Sequence, residues 1–181
     1  MFTIEYNRDT LTVSEECMEK LKRELIALLG ENARYTFKQL ADIVGSTEST
    51  VESAVKDLEK DGVIVKYSAI INTEAIDEYK KVQALIEVKV APQKLRGFDA
   101  YADDLCNFKE VQSLYLMSGG FDLAVFVEGS TITDIARFVS EKLSFIDGVV
   151  SVQTHFILKK YKIEGHVAKP LEDMRRQIIQ A

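Results

Sequence analysis

A short glycine-rich stretch in the second half of the chain has the residue types of a small-molecule site. It reads Ser118-Gly119-Gly120-Phe121-Asp122 and lies between two segments of strand-like composition. Backbone amides in such a turn can hold a carboxylate, and the side chain of Asp122 can accept an ammonium group. The same residues also fit a plain hairpin, in which the glycines serve the backbone and Asp122 only caps the turn.

A later strand-like segment carries Thr154 and His155, which are predicted to approach the same place. A histidine at such a position is more often part of a dimer face than a ligand, so only Thr154 joins the candidate set. The predicted effector-binding residues are Ser118, Gly119, Gly120, Phe121, Asp122 and Thr154.

A second polar group lies on one face of a predicted helix near residue 50. The buried stripe of that helix has the i, i+3, i+4, i+7 spacing and consists of Val51, Ala54, Val55 and Leu58. The opposite face is polar to basic and is centred on Ser49, Ser53, Lys56 and Lys60. Such a ridge can enter the major groove of DNA, although charged faces of this kind are usually only solvated. The predicted DNA-binding residues are Lys38, Thr47, Ser49, Thr50, Glu52, Ser53, Lys56 and Lys66.

Three members of this DNA-binding set have competing interpretations. Lys38 and Lys66 lie where the phosphate backbone meets folds of this kind, but they are equally plausible as plain surface lysines. Glu52 can accept a hydrogen bond from a cytosine amino group, or it can simply repel DNA.

Catalytic and metal-binding motifs are missing from the sequence. There is no nucleophile elbow, Walker loop or dinucleotide fingerprint. His155 and His166 have no close cysteine or carboxylate in zinc-site spacing. Cys17 and Cys106 are isolated and are interpreted as packing residues. We therefore expect no catalytic residue, no metal, no cofactor and no enzyme activity.

The first half of the chain is predicted to be helical. One helix begins after Ser14 and ends at Gly30, and a second begins at Thr36, with Gln39 completing a capping box, and ends at Gly45. A third helix follows at once, capped by Thr47. This is the spacing of a helix-turn-helix. The strand-like residues 63–72 that follow can supply a short wing and a linker.

The second half alternates strands and helices. Strands are predicted at 82–90, 111–117, 121–128 and 149–158, and helices at 97–107 and 131–143. This βαββαβ order is the ferredoxin-like unit, an α+β fold in which two helices cover one face of the sheet. The other face is predicted to carry Leu85, Leu114, Leu116, Ala124, Phe126 and Ile157. That much apolar surface predicts a symmetric homodimer.

Four segments result from these patterns. We expect a winged helix-turn-helix at 1–66, a linker strand and hinge at 67–81, a ferredoxin-like sensing and oligomerisation domain at 82–162, and a tail at 163–181. The tail is predicted to be helical, with Leu171, Met174 and Ile178 on one side.

Composition and charge limit the possible classes of protein. The 181 residues are 46% hydrophobic, which is enough for a packed core. No apolar run approaches the roughly 20 residues of a membrane span, and the N-terminus has no signal-peptide pattern, so a cytoplasmic protein without membrane contact is expected. Residues 1–66 hold nine basic and thirteen acidic side chains, a net charge of −4. This is unusual for a DNA-binding domain, because phosphate contacts supply much of the affinity.

From about Ser14 to Lys162 the sequence resembles the Lrp/AsnC family of transcriptional regulators. The resemblance rests first on Arg34-Tyr35-Thr36, Leu40-Ala41, Val44-Gly45 and Val55 to Ile64. It continues through Tyr67, Ala69 and Asn72, then through Leu116 to Asp122, which is similar to the family's [ST]-G-x-[YF]-D hairpin loop, and then through Gly148-Val149 and Thr154. The family's Asp-rich start of the first helix is replaced here by Val13-Ser14-Glu15-Glu16-Cys17.

The resemblance implies a winged helix-turn-helix joined by a long strand to a ligand-sensing domain. It also implies binding to double-stranded DNA, a small-molecule effector that is usually an amino acid, and homodimers that assemble further, commonly into octamers. Two alternatives stay open. One is a DNA-independent sensor or corepressor, suggested by the acidic first half. The other is an enzyme like the sirohaem decarboxylases, disfavoured because Arg96 and Arg137 are the only arginines of the sensing half before the tail.

Overall fold

The computed structural model describes residues 13–73, 76, 81–91 and 97–168. The chain divides into two compact units, Met1–Ala69 and Ile70–Ala181. The division lies within the predicted linker and hinge at 67–81. Among the described residues, no helix is long and apolar enough to cross a membrane.

The described part of the first unit contains three helices around one core. They are α1 (Val13–Glu31), α2 (Phe37–Val44) and α3 (Glu48–Lys60). The side chains that close this core are fully or almost fully buried: Leu25, Leu40, Ala41, Val51, Ala54, Val55 and Leu58. All four residues of the stripe predicted for α3 are among them. Helix α1 continues through Gly30, where an end was predicted, because the amide of Asn32 still bonds to the carbonyl of Leu28 at 2.8 Å.

The turn between α2 and α3 is fixed by caps that the sequence predicted. The Thr36 hydroxyl accepts from the Gln39 amide at 3.2 Å, and the Gln39 side chain accepts from the Thr36 amide at 2.9 Å. Gly45 ends α2 in the left-handed region, with φ 68°, where a side chain would be strained. Thr47 then caps α3 by accepting from the amide of Thr50 at 3.2 Å. The helix-turn-helix is therefore defined by local hydrogen bonds.

The strand-like stretch after α3 forms no strand. Residues 63–72 are all described, and none of them pairs into a sheet. The amides of Val63 and Ile64 bond instead to the carbonyl of Leu58, at 2.9 and 3.1 Å, so the chain turns back at the end of α3. Strand propensity needs a partner edge to become a ladder, and the described residues of the first unit supply none.

The second unit is a four-stranded antiparallel sheet with helices on one face. Its elements are β1 (Val82–Val90), α4 (Phe98–Cys106), β2 (Val111–Leu116), β3 (Leu123–Gly129), α5 (Ile132–Glu141), a 3₁₀ turn (Leu143–Phe145), β4 (Val149–Phe156) and a small hairpin, β5 (Lys162–Ile163) and β6 (His166–Val167). The strand order is β2-β3-β1-β4, and the order of elements is βαββαβ, which confirms the predicted ferredoxin-like unit. Alternate residues of β1 face the helices and are buried: Ala84, Ile86, Val88 and Val90.

The strand register corrects the predicted composition of the open sheet face. Leu114 lies opposite Val125 and packs against the helix-covered core, and Leu116, opposite Leu123, has the same parity. A register shift between Val111 and Ser113 decides which side chains face outward, and sequence alternation alone could not reveal it. Tyr115 takes the outer position instead and packs edge-on against Phe126, with ring centroids 5.9 Å apart.

Two further expectations differ from the structure. Cys17 and Cys106 are both exposed, so neither is a packing residue. The predicted tail helix at 163–181 does not begin where expected, because residues 162–167 form the β5–β6 hairpin, whose turn holds Glu164 and Gly165 at positive φ. Residues 169–181, including Leu171, Met174 and Ile178, lie outside the described residues.

Candidate functional site

The exposed ridge of α3 consists of the residues predicted to face DNA. Ser49, Ser53 and Lys56 are exposed, whereas Thr50 and Glu52 are half-buried on its flanks. On the opposite face of the helix, Val51, Ala54 and Val55 are buried in the core. The ridge is therefore held rigidly by the packing of the opposite face.

Two members of the predicted DNA-binding set are engaged in the turn itself. The hydroxyls of Thr47 and Thr50 are hydrogen-bonded to each other at 2.8 Å, and Thr47 also caps the helix. Their hydroxyls are committed to positioning the start of α3. A contact from either one to DNA would have to use the remaining lone pairs or the methyl group.

Lys56 and Glu52 form an ion pair one turn apart. Lys56 Nζ donates to Glu52 Oε1 at 2.7 Å. This hydrogen bond, together with the charge of Glu52, raises the pKa of Lys56 above its ordinary value. The basic side chain of Lys56 is thus held beside an acid, and a DNA phosphate must compete with that acid for it.

Other acids of α3 are also occupied. Asp57 lies 3.6 Å from Nζ of Lys22 on α1, and Glu59 Oε1 accepts from the Tyr67 hydroxyl at 2.9 Å. Burial first, and then the hydrogen bond to Glu59, raises the pKa of Tyr67. Sequence reasoning missed both contacts because each joins α3 to another segment. Two carboxylates of this acidic domain are therefore paired with side chains of the same domain.

The predicted phosphate contacts, Lys38 and Lys66, are both exposed. Lys38 is on the first turn of α2, and Lys66 is in the segment after α3. Neither has an ion-pair partner within the described part of the chain. Their ammonium groups are available to phosphates, which agrees with the predicted role and equally with that of a surface lysine.

The predicted effector loop is a tight hairpin connection anchored by Asp122. The Met117 amide donates to the Asp122 carbonyl at 2.8 Å, and the Asp122 amide donates to the Val88 carbonyl at 3.0 Å. The Asp122 side chain accepts from the Val90 amide at 2.8 Å through Oδ2. Ser118, Gly119 and Gly120 project between these anchors and are exposed, whereas Phe121 is half-buried.

The structure does not bring Thr154 beside this loop within one chain. Thr154 pairs with Ile86 on β1, and β1 lies between β4 and β3, so two strand spacings of about 4.8 Å separate β4 from β3. Thr154 also shares the helix-facing parity of Ile86. His155 points to the open face, where Nε2 lies 3.2 Å from Glu87 Oε1.

Two known protein families match the two halves of the chain. Residues 83–167 match the Lrp/AsnC ligand binding domain, and residues 18–65 match a winged helix-turn-helix DNA-binding domain. The chain is 44% identical over 156 residues to the HTH-type transcriptional regulator YugG of Bacillus subtilis, covering 86% of this chain and 94% of YugG. The chain belongs to the Lrp/AsnC family of transcriptional regulators.

Two further relatives, one of them a solved structure, also match most of the chain. The chain is 33% identical to the transcriptional regulator LrpA of Pyrococcus abyssi, over 76% of this chain and 94% of LrpA. A Neisseria meningitidis transcriptional regulator, solved as a complex with L-Met, is 26% identical with a TM-score of 0.61, over 91% of this chain and 99% of that one. The protein is a transcriptional regulator with a helix-turn-helix domain and a ligand-binding domain, and not an enzyme.

Proposed function

We propose that this Lrp/AsnC protein binds specific DNA sequences through the exposed ridge of α3 and that a small-molecule effector, an amino acid, alters its DNA binding or assembly. The observation that carries the DNA part is the ridge itself. Ser49, Ser53 and Lys56 project from a helix whose other face is buried, at the position of the second helix of a helix-turn-helix.

The net charge of −4 in residues 1–66 is compatible with this role because of where the acids lie. Glu52, Asp57 and Glu59 each have a hydrogen-bond or ion-pair partner within the first unit. Serine and threonine hydroxyls can contact phosphates and base edges without a charge. We therefore expect moderate affinity that falls as salt rises.

The amino-acid effector is supported by the ligand-binding domain and by the L-Met complex of the Neisseria relative. A ligand can change DNA binding only by its differential affinity for two states of the protein. A symmetric homodimer, assembling further into a higher oligomer such as an octamer, supplies those states. The open sheet face, with Leu85, Tyr115 and Phe126, is the surface we assign to the dimer.

A DNA selection experiment tests the proposal. Purified protein is incubated with fragmented genomic DNA at low salt, with and without each amino acid, and bound fragments are sequenced. Enrichment of a short pseudo-palindrome whose occupancy changes with one amino acid is the expected result.

A DNA-independent sensor or corepressor is the second candidate function, because of the acidic first unit. It predicts no enrichment of any sequence at any salt concentration. It also predicts that amino-acid binding persists in a protein that shifts no DNA in electrophoresis.

A further inference from the structure

The segment that follows α3 is held against the end of that helix at two points. At the first point, the amide of Ile64 donates to the carbonyl of Leu58 at 3.1 Å, and the Ile64 side chain packs against the helical core. At the second point, the hydroxyl of Tyr67 donates to Glu59 Oε1 at 2.9 Å. Residues 65–66 therefore form a short arch between two anchors.

Both side chains of the arch project into solvent. Val65 is 89% exposed, and Lys66 is exposed, with no ion-pair partner in the described ranges of the chain. No sheet stiffens the arch, because residues 63–72 pair with no other described segment. The hydrogen bond from Tyr67 therefore fixes its second end.

The second anchor lies on the flank of α3 that carries Glu52. Glu59 is three residues after Lys56, so the Cβ atoms of the two residues are about 5–6 Å apart on the helix surface. The hydrogen bond to Glu52 first, and then the charges of Glu52 and Glu59, raise the pKa of Lys56, which shows that Glu59 is within electrostatic reach of the ridge. The bond from Tyr67 to Glu59 thus places Lys66 next to that end of the ridge.

We propose that Tyr67 is a positioning residue for DNA binding, whose bond to Glu59 holds the arch at the end of α3 so that Lys66 meets a phosphate of the DNA. The inference rests on the proposed function and adds to it a residue that acts without touching DNA. An arch that is already fixed loses less conformational freedom on binding than a mobile one. Tyr67 therefore raises the affinity for DNA through Lys66.

The test is a double-mutant cycle on Tyr67 and Lys66. The natural chain, Tyr67→Phe, Lys66→Gln and the double variant are titrated by fluorescence anisotropy with a DNA fragment from the selection experiment and with a random-sequence duplex, each at several salt concentrations. Tyr67→Phe removes one hydroxyl from an exposed residue, and thermal unfolding checks that the fold is kept. Tyr35→Phe is the matched control, because it is the same change in the same unit and the Tyr35 hydroxyl makes no hydrogen bond within the described residues.

We expect Tyr67→Phe to bind the selected DNA about three- to tenfold more weakly than the natural chain, the effect of losing one hydrogen bond, and Tyr35→Phe to bind it equally. Lys66→Gln should reduce the salt dependence by about one phosphate contact, and Tyr67→Phe should reduce it in the same direction. In the Lys66→Gln background, Tyr67→Phe should have no further effect, because the lysine through which Tyr67 acts is gone.

Two substitutions of Glu59 isolate the acceptor from its charge. Glu59→Gln and Glu59→Ala both remove the negative charge, but only glutamine keeps a side-chain oxygen that can accept from Tyr67. We expect Glu59→Ala to bind DNA more weakly than Glu59→Gln, and the two to bind equally once Tyr67→Phe is added to each.

Equal affinity of Tyr67→Phe and the natural chain for the selected DNA would overturn the positioning role and leave the proposed DNA binding intact. A loss of the same size with and without Lys66 would also overturn it, because Tyr67 would then act on another part of the interface. If the natural chain binds neither DNA at any salt concentration, the proposed function fails and this role of Tyr67 fails with it.

Discussion

The side-chain carboxylate of Asp122 accepts a hydrogen bond from the backbone amide of Val90 at 2.8 Å. Val90 lies at the irregular end of β1, where the pairing with β4 shifts register between Lys89 and Val90. Since Asp122 also donates its own amide to Val88, its side chain takes the place of the next strand carbonyl. The residue suggested as an ammonium ligand therefore closes the edge of the ladder.

Replacing Asp122 by alanine should lower the free energy of unfolding. The Val90 amide would lose a charged acceptor in a half-buried place, at a cost of about 1–3 kcal/mol. Asp122→Asn keeps an acceptor oxygen and should lose less. Urea unfolding of both variants measures the difference, and equal stability of Asp122→Ala and the natural chain would exclude this anchoring role.

A Lys56→Glu variant should stay folded and lose DNA binding. Lys56 is exposed, so its replacement leaves the core unchanged, but it places a negative charge at the centre of the ridge. A loss of about tenfold or more at low salt is expected. Electrophoretic mobility shift with the selected DNA measures it, and circular dichroism checks the fold.

Glu52→Gln is the companion variant and should bind DNA more tightly. It removes the acid that holds Lys56 at 2.7 Å and so frees the ammonium group for a phosphate. Weaker binding by Glu52→Gln would instead assign Glu52 a direct contact with a base, such as a cytosine amino group.

The stability of the second unit should fall as the pH drops below about 4.5, the ordinary pKa of a glutamate. Burial acts to raise the pKa values of Glu110 and Glu128, but hydrogen bonds from Lys142 and Lys81 outweigh it and bring both pKa values below ordinary. The unfolded chain then binds more protons than the folded one, so stability is present above the unfolded pKa and is lost as the pH falls through the folded values.

Urea unfolding as a function of pH, compared between the natural chain and a Glu110→Gln/Glu128→Gln variant, measures this contribution. The variant should be less stable near neutral pH, and the gap between the two proteins should narrow in acid. A gap that stays constant with pH would remove these two carboxylates from the acid response.

Gly148→Ala should destabilise the second unit more than Gly165→Ala. Both glycines have positive φ, 91° and 83°, so each alanine carries backbone strain of about 1–2 kcal/mol. Only at Gly148 would the new Cβ also collide with the ring and hydroxyl of Tyr101, while Gly165 has open space. Thermal unfolding of the two variants separates strain from collision, and equal losses would show that Tyr101 moves aside freely.

The proposed dimer interface can be tested with a charged substitution on each of the two faces of the sheet. Phe126→Asp places a charge on the open face and should shift the protein toward monomers in sedimentation experiments. Leu116→Asp, on the helix-facing side of β2 and 61% exposed, should leave the dimer intact. Loss of the dimer in both variants would instead favour the face composition predicted from alternation alone, which includes both Phe126 and Leu116.

Local patterns in the sequence determined most of the elements and their order. The capping box at Thr36 and Gln39, the left-handed Gly45 and the stripe from Val51 to Leu58 are all contacts within a few residues. The residues that stabilise these features are therefore close together in the sequence. The same holds for the alternation of β1, which places Ala84, Ile86, Val88 and Val90 toward the helices.

Tertiary structure decided whatever depended on a distant partner. Strand-like residues 63–72 pair with no other described segment. A register shift in β2 places Leu114 toward the helices and Tyr115 on the open face of the sheet. The side chain of Asp122 bonds to the Val90 amide, and that of Glu59 to the Tyr67 hydroxyl. Glu110 bonds to Lys142 through one oxygen, and its other oxygen is buried without a donor side chain among the described residues. Strand pairing, register and ion pairing over tens of residues depend on the whole fold, so periodicity in a single sequence cannot determine them.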